Sequence, residues 1–450
     1  MAYPQLQRGL KHRHLSLIAL GGIIGSSYFL GTGYIVQQIG PGAFLAYILG
    51  GIISYLMLAC LSELAVSSPS QGSFVNSAAK HISPHWACGV GWSYWFSWVI
   101  FIPSECMAGG LIMQYFVPSV PVYIWSILFG LVITFFNLIP VKAFGELEFW
   151  LSLIKIGILI LFCVLALGIF FGYFGTSKSF IGAKYLLDNG GLLPNGLMIF
   201  FVNMVILLCN FQGSEIIGLT ASETTNPKKA VPAALEKVAF RIIGLYIIPT
   251  FLLVLIIPWQ ESSLNGSIFA FALEKYGLSH VAHTFSFLII AGAISSANSG
   301  LYATIRTLLA LCQNRMGPKV LTKITHQGIP IRATWVTLIA IWILLLVSCF
   351  FPSHNFYTIL LATSGFTGTI CWISICWAQL RFRKHYKEIG VKLTYKVPWF
   401  PYLTLLAIWL QIGTLLIVLI YPDTRASFYV GVPVLLLPIL WHKYLRKKRT

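Results

Sequence analysis

Apolar positions along this chain come in long runs, and polar positions come in short bursts between them. Runs of about twenty apolar residues are the length that crosses roughly 30 Å of hydrocarbon as a helix. They recur near 15–36, 42–66, 86–115, 122–139, 149–172, 195–221, 239–258, 280–312, 333–351, 355–380, 399–420 and 427–442. The pattern predicts twelve membrane-spanning helices joined by short loops, with no soluble domain of any size. The first run begins near Leu15. It is too polar and glycine-rich for the apolar core of a signal peptide and no cleavage site follows it, so we expect it to be a retained span.

Two of the runs are interrupted. The first contains GGIIGSSYFLGTG, from Gly21 to Gly33, with five glycines and three small hydroxyl residues. The sixth contains NFQGSEIIG, from Asn210 to Gly218. A glycine in a helix interior costs roughly 0.5–1 kcal/mol relative to alanine, so such a cluster needs a reason. Interrupted spans at corresponding places in two halves of a chain point to a transporter built from inverted repeats. Where a span unwinds, N–H and C=O groups leave the helix ladder and need other partners. N–H groups at a half-helix start attract a carboxylate, and freed carbonyls attract an ammonium group. An α-amino acid carries both. A second reading of the first-span glycines, with Gly21 and Gly25 as a small-x-x-x-small packing surface, is compatible with the first. A nucleotide loop is excluded, because G-G-x-x-G here follows a basic, non-strand segment and enters a span.

Composition agrees with the runs. Of 450 residues 57% are hydrophobic and 9% charged, and the mean hydropathy is +0.82. A soluble fold of this length cannot hide so much apolar surface. With the N-terminus in the cytoplasm, 25 of the 30 basic residues fall on the inner side of the predicted spans, and only Lys178, Lys184, Lys275 and Arg425 fall outside. That asymmetry predicts cytoplasmic termini and accounts for the net charge of +18 without a nucleic-acid partner. The nine cysteines form no C-x-x-C pair, and no histidine sits mid-span or at ligand spacing from an acid. No metal or other cofactor is expected.

Away from the span ends, one basic and two acidic residues stand out inside the apolar runs: Lys155 in the fifth, Glu105 in the third two residues after Pro103, and Glu215 in the sixth. Intramembrane charges are expensive and face a cavity or a partner. One reading makes them structural contacts between helices. The other makes them substrate contacts or a proton relay, and we favour it because cheaper neutral residues could fill a structural role.

Four stretches, RGLKHRHLSLIALGGIIGSSYFLGTG, GELEFWLSLIK, GLTASETTNPKKAVPAA and SSANSGLYATIRTLLAL, together resemble the amino acid permeases of the APC superfamily, in order and over nearly the whole chain. The resemblance implies an all-α integral membrane protein of LeuT type. One transmembrane domain would span 1–450, with a 5+5 inverted repeat (about 15–172 and 195–380), discontinuous helices 1 and 6, and two further helices at about 399–442. It also implies proton-coupled uptake of an amino acid across a bacterial inner membrane, with protons and membrane lipid as the other partners. The first-span break at Gly21, Gly22, Ile24, Gly25, Ser26 and Ser27 is similar to the family's carboxylate-binding turn. Phe211 matches an aromatic that covers the substrate, with Gln212 and Gly213 beside it, and Glu215 matches the acid of that break. Ser295 and Asn298 match polar positions of the eighth span that face the first. Lys155 resembles a built-in cation lying where sodium-coupled relatives hold an ion, and Glu105 joins it as a candidate for both substrate contact and proton coupling.

The chain also departs from the family pattern. It reads Gly25-Ser26-Ser27-Tyr28-Phe29 where relatives read G-T-G-L-F, and Phe211-Gln212-Gly213-Ser214-Glu215 where they read F-G-G-x-E. Ser27 and Gln212 each stand where a glycine is usual, which predicts a smaller or more strongly hydrogen-bonded pocket, unsuited to an aromatic substrate. The alternative transport reading is an exchanger, or a carrier of a modified amino acid or amine. An integral membrane enzyme finds no nucleophile–base pair or metal cluster at usable spacing.

Overall fold

A computed structural model describes residues 24–67, 74–137, 141–175, 179–187, 190–216, 243–262, 266–325, 330–351, 353–388, 393 and 395–447. Helices dominate these residues, and no strand occurs among them. In chain order the elements used below are α1 (Ser26–Ile39), α2 (Ala43–Ser67), α3 (Phe74–His81), α4 (Pro84–Phe116), α5 (Val122–Phe136) and α6 (Val141–Phe170). After these come α7 (Gly196–Val202), α8 (Met204–Cys209), α9 (Ile248–Ile256), α10 (Ile268–Lys275) and α11 (Ser279–Gln313). The last four predicted spans correspond to α12 (Ile331–Val347), α13 (Ser353–Glu388), α14 (Tyr402–Ile417) and α15 (Pro422–Lys447).

Seven of the described helices are long and apolar enough to cross a membrane, and four shorter apolar helices accompany them. In hydrocarbon each backbone polar group has to be bonded within the protein, which is why apolar runs without β-ladders resolve into helices. α4 is the central mast: α5, α11, α13 and α15 all pack along it. It opens at Ser83, whose hydroxyl accepts from the Trp86 N–H (3.1 Å), with Pro84 preset for the first turn. Pro103 lies inside it and removes one backbone donor from the ladder, so α4 is locally weakened two residues before Glu105. The outer helices present apolar residues to the surroundings, including Phe135, Ile160, Ile343 and Leu437, each more than half exposed. Such a belt suits a lipid surround.

The boundaries differ from the sequence expectation in instructive places. The fifth span was expected from 149, yet α6 starts at Val141. Glu and Lys are good helix formers, so the helix runs on through the polar segment before the apolar run begins. α13 likewise extends past 380 to Glu388. The sixth span is interrupted twice, at Asn203 between α7 and α8 and again from Asn210, where turns replace helix up to Glu215. The seventh opens with a π-helical turn, Ile243–Ile247. Gly21, Gly22 and the first span before Ile24 lie outside the described residues, as does the sixth-span sequence beyond Ile216.

Candidate functional site

The first break is an abrupt helix start. Gly25 is extended (φ −106°, ψ −176°), and Ser26 opens α1 with no cap from the preceding side chain. The first N–H groups of a helix have no partner within it, and together they carry partial positive charge. Here the missing acceptor comes from 79 residues away. Glu105 Oε2 accepts from the Ser26 N–H (2.8 Å) and the Ser26 hydroxyl (2.9 Å), and its Oε1 accepts from the Ser27 N–H (3.2 Å). All three residues are buried. Gly25 is needed for the approach: a Cβ there would lie 2.7 Å from Glu105 Oε1 and 2.8 Å from Ser296 Oγ on α11. Lys155 on α6 is also buried, with its aliphatic stem against Gly292 of α11 and its charge within electrostatic range of Glu105. The first-span break and Glu105 thus meet beside α11, and Lys155 of α6 lies against the same α11, one turn from Ser296.

The second break is organised differently. Gly213 takes φ +102°, a conformation that side chains rarely adopt, and it lets the chain fold back on itself. The Gly213 N–H donates to both oxygens of Glu215 (3.0 and 3.1 Å). Tyr94 of α4 donates its hydroxyl to Oε1 and Trp372 of α13 its indole N–H to Oε2, both at 3.1 Å. Glu215 therefore ties the break to two neighbouring helices. Gln212 does similar work, donating to the Ser364 and Gly365 carbonyls of α13 (3.3 and 3.2 Å), and it fills the space that Gly368 leaves. Phe211 is fully buried, with its ring 5.1 Å from that of Tyr246 and 6.1 Å from that of Tyr47.

A tyrosine network links the two breaks. Asn210 donates its amide to the Tyr47 hydroxyl (2.8 Å), and the Tyr246 hydroxyl donates to the Asn210 carbonyl (2.8 Å). The Tyr28 hydroxyl reaches the Tyr246 carbonyl (2.9 Å), and Tyr47 meets Thr32 of α1 (2.7 Å). Around this network Ser27 Oγ, Asn210 Oδ1, Ser214 Oγ and the Tyr357 hydroxyl are buried without a hydrogen-bond partner. They lie on α1, the sixth-span break and α13, so polar capacity remains on the elements that meet at the breaks.

Of the two predicted residues on the eighth span, Ser295 is fully buried, whereas Asn298 accepts from Asn137 at the end of α5 (2.6 Å). Ser296 of the same span lies against the start of α1. Sequence reasoning missed Ser296, Tyr47, Tyr246, Tyr357 and Trp372. Ser296 sits in the same SSANSG motif and could have been included. A tyrosine or tryptophan inside an apolar run gives no such signal.

Comparisons with known proteins place the chain in a family. The family model described as "Amino acid permease" matches residues 14–450. The amino-acid permease RocC of Bacillus subtilis (strain 168) is 37% identical over 453 residues, covering 99% of this chain and 96% of its own. The lysine-specific permease LysP of Lactococcus lactis subsp. cremoris (strain MG1363) is 33% identical over 469 residues, covering 99% and 91%. Among solved structures, a crystal structure of the Eremococcus coleocola manganese transporter superposes with a TM-score of 0.58 at 13% identity, covering 98% of this chain and 95% of that one. At that identity the likeness concerns the fold alone, a transporter fold of LeuT-like type. Family and relatives are transporters and not enzymes. Matched over nearly its whole length, the chain belongs to the amino acid permease family of the APC superfamily.

Proposed function

We propose that the protein imports an amino acid across the bacterial inner membrane together with protons, by alternating access, as one transport unit of twelve spans with cytoplasmic termini. Residues 15–172 and 195–380 would form the inverted repeats, with 399–442 appended. The observation that carries this reading is the start of α1, where the N–H groups of Ser26 and Ser27 are aimed at a buried carboxylate. A site that holds one carboxylate at a half-helix start suits another, that of an amino acid. Ile24, Gly25, Ser26 and Ser27 receive it, with Gly213 shaping the second break, and carbonyls around Phe211 receive the ammonium group. Phe211 covers the bound molecule, while Gln212 and Glu215 hold the break in shape against α13 and α4. Ser295 and Asn298 line the eighth-span side, and Lys155 with Glu105 exchanges the coupled proton. A lysine whose surroundings change between outward- and inward-facing states gains and loses its proton with that change. The relatives' names include lysine-specific and gamma-aminobutyric acid permeases, so the family supplies the substrate class and not the individual substrate.

Radiolabelled uptake into proteoliposomes tests the proposal. Under an imposed inward proton gradient, at least one of the twenty common amino acids is expected to accumulate above its external concentration. Accumulation of none of them overturns the uptake reading, and counterflow that needs no gradient would assign the protein to exchange instead.

A further inference from the structure

We propose that Glu105 is a resident anion that competes with the substrate for the start of α1: the protein releases its own carboxylate before it takes one from an amino acid. The inference rests on the reading above, in which the substrate carboxylate is received at Ser26 and Ser27. Helix starts are ordinarily capped locally, by the side chain of the residue just before the first turn. Gly25 offers no side chain, and the cap arrives instead from α4 with both oxygens engaged. The N–H groups that would greet a substrate are therefore already satisfied. There is no room for both anions. The Cβ position of Gly25 is within 2.7 Å of Glu105 and 2.8 Å of Ser296, so an incoming carboxylate has to replace Glu105 and cannot sit beside it. Two carboxylates in one buried site also repel strongly.

The surroundings supply what an exchange needs. The Ser27 hydroxyl and the Tyr357 hydroxyl are buried and unpartnered, which leaves donors for an arriving anion. Glu105 acts electrostatically on Tyr357 of α13, on Tyr246 before α9, on Cys209 of α8 and on its neighbour Cys106, and Lys155 of α6 acts on Glu105. Of these groups Lys155 carries the opposite charge, so a displaced Glu105 turns toward it or takes up a proton. Substrate arrival is thereby tied to the state of the Glu105–Lys155 pair.

The test measures equilibrium binding to the full-length protein in nanodiscs. Each of the twenty common amino acids is tried as a tritiated ligand at neutral pH, together with the amide of whichever one binds. Glu105→Gln keeps the shape, but its side chain presents one acceptor where the carboxylate presents two, and no charge. The occupied fraction of the site falls, and apparent affinity rises as the competent fraction grows. We expect E105Q to bind the amino acid about tenfold more tightly than wild type, on the scale set by that fraction, and to bind the amide without improvement. Glu105→Asp, too short to reach both N–H groups, is expected to move affinity in the same direction. A variant that binds the amino acid no better than wild type, or more weakly, overturns the inference, because Glu105 would then be a ligand of the substrate. If neither variant folds, infrared difference spectra of the wild type with 13C-carboxyl-labelled amino acid read the same event. One hydrogen-bonded protein carboxylate band is expected to be lost on binding, and an unchanged protein carboxylate region overturns the inference. A wild-type protein that binds none of the twenty removes the proposed uptake of a common amino acid and this inference with it. A wild-type protein that binds one, with E105Q binding it no better, removes this inference alone.

Discussion

Gly25→Ala isolates the close approach on which the site is built. The backbone at Gly25 is extended and accepts any residue, so the substitution carries no conformational strain. Through the unfolded chain alone it would stabilise by about 0.4–1 kcal/mol. The methyl group, however, lands 2.7 Å from Glu105 Oε1, 3.1 Å from its carboxyl carbon and 2.8 Å from Ser296 Oγ. Ser296 ends in a hydroxyl that can rotate, but Glu105 is held by three hydrogen bonds and has to break at least the 3.2 Å bond from Ser27 to retreat. A hydrogen bond to a charged group contributes about 1.5–3 kcal/mol, and overpacking a buried site costs typically about 1–3 kcal/mol. The balance is a net loss of about 1.5–5.5 kcal/mol after the backbone gain is subtracted, with transport lost as α1 shifts. Gly157→Ala on α6 is the control, since nothing lies within 4 Å of its added Cβ. There the helix-propensity gain of about 0.5–1 kcal/mol should appear undiminished. Thiol-reactive dye melts of the purified variants, read beside uptake, make the comparison. If Gly25→Ala matches or exceeds Gly157→Ala in stability and keeps its uptake, then Glu105 and the start of α1 do not meet as described.

Further expectations concern groups inside and outside the site. Lys155→Ala should abolish gradient-driven accumulation while binding and counterflow persist in part; unchanged pH dependence of uptake would refute the role given to Lys155. Arg383 pairs with the fully buried Glu63 (3.1 Å) and also donates to the Val397 carbonyl (2.7 Å), clamping α2 to the chain after α13. Arg383→Met leaves a buried charge uncompensated and should cost about 3–5 kcal/mol. Adding Glu63→Leu should recover most of that loss in the same melts, and a double variant no more stable than the single contradicts the pairing. His81, between the second and third spans, has its pKa lowered from 6.5 to about 4, first by burial and then by the nearby positive charges of Lys80 and His385. The fold favours neutral His81, so its contribution is full above pH 6.5 and is lost as pH falls from there through about 4. His81→Phe, which keeps a ring against Phe382, should melt with a shallower pH dependence across that window; identical slopes would remove the effect.

The breaks were legible because glycine and polar residues in an apolar run are conspicuous by themselves. The start of α1 at Ser26 and the turns from Asn210 to Glu215 stand where the sequence placed interruptions. Burial of Glu105, Lys155 and Glu215 followed from their positions mid-span. Partners were a different matter. Periodicity identifies a span and an interruption, but it does not say which residue across dozens of positions supplies the missing hydrogen bond. So the capping of α1 by Glu105 and the anchoring of Glu215 by Tyr94 and Trp372 were invisible before the helices were assembled. Asn298 shows the same limit, since its motif placed it on the eighth span without naming Asn137 as the partner that donates to it. The extension of α6 back to Val141 was hidden because hydropathy marks where the lipid begins and not where the helix does.

The central claim is that an amino acid and a proton move together through this site. The direct measurement is the pH inside proteoliposomes loaded with a trapped fluorescent indicator, recorded as a transported amino acid is added outside with no gradient imposed. The account predicts that the lumen acidifies when wild-type protein is present and stays level with Lys155→Ala. Entry of the labelled amino acid through the wild type with no change in lumenal pH would contradict it.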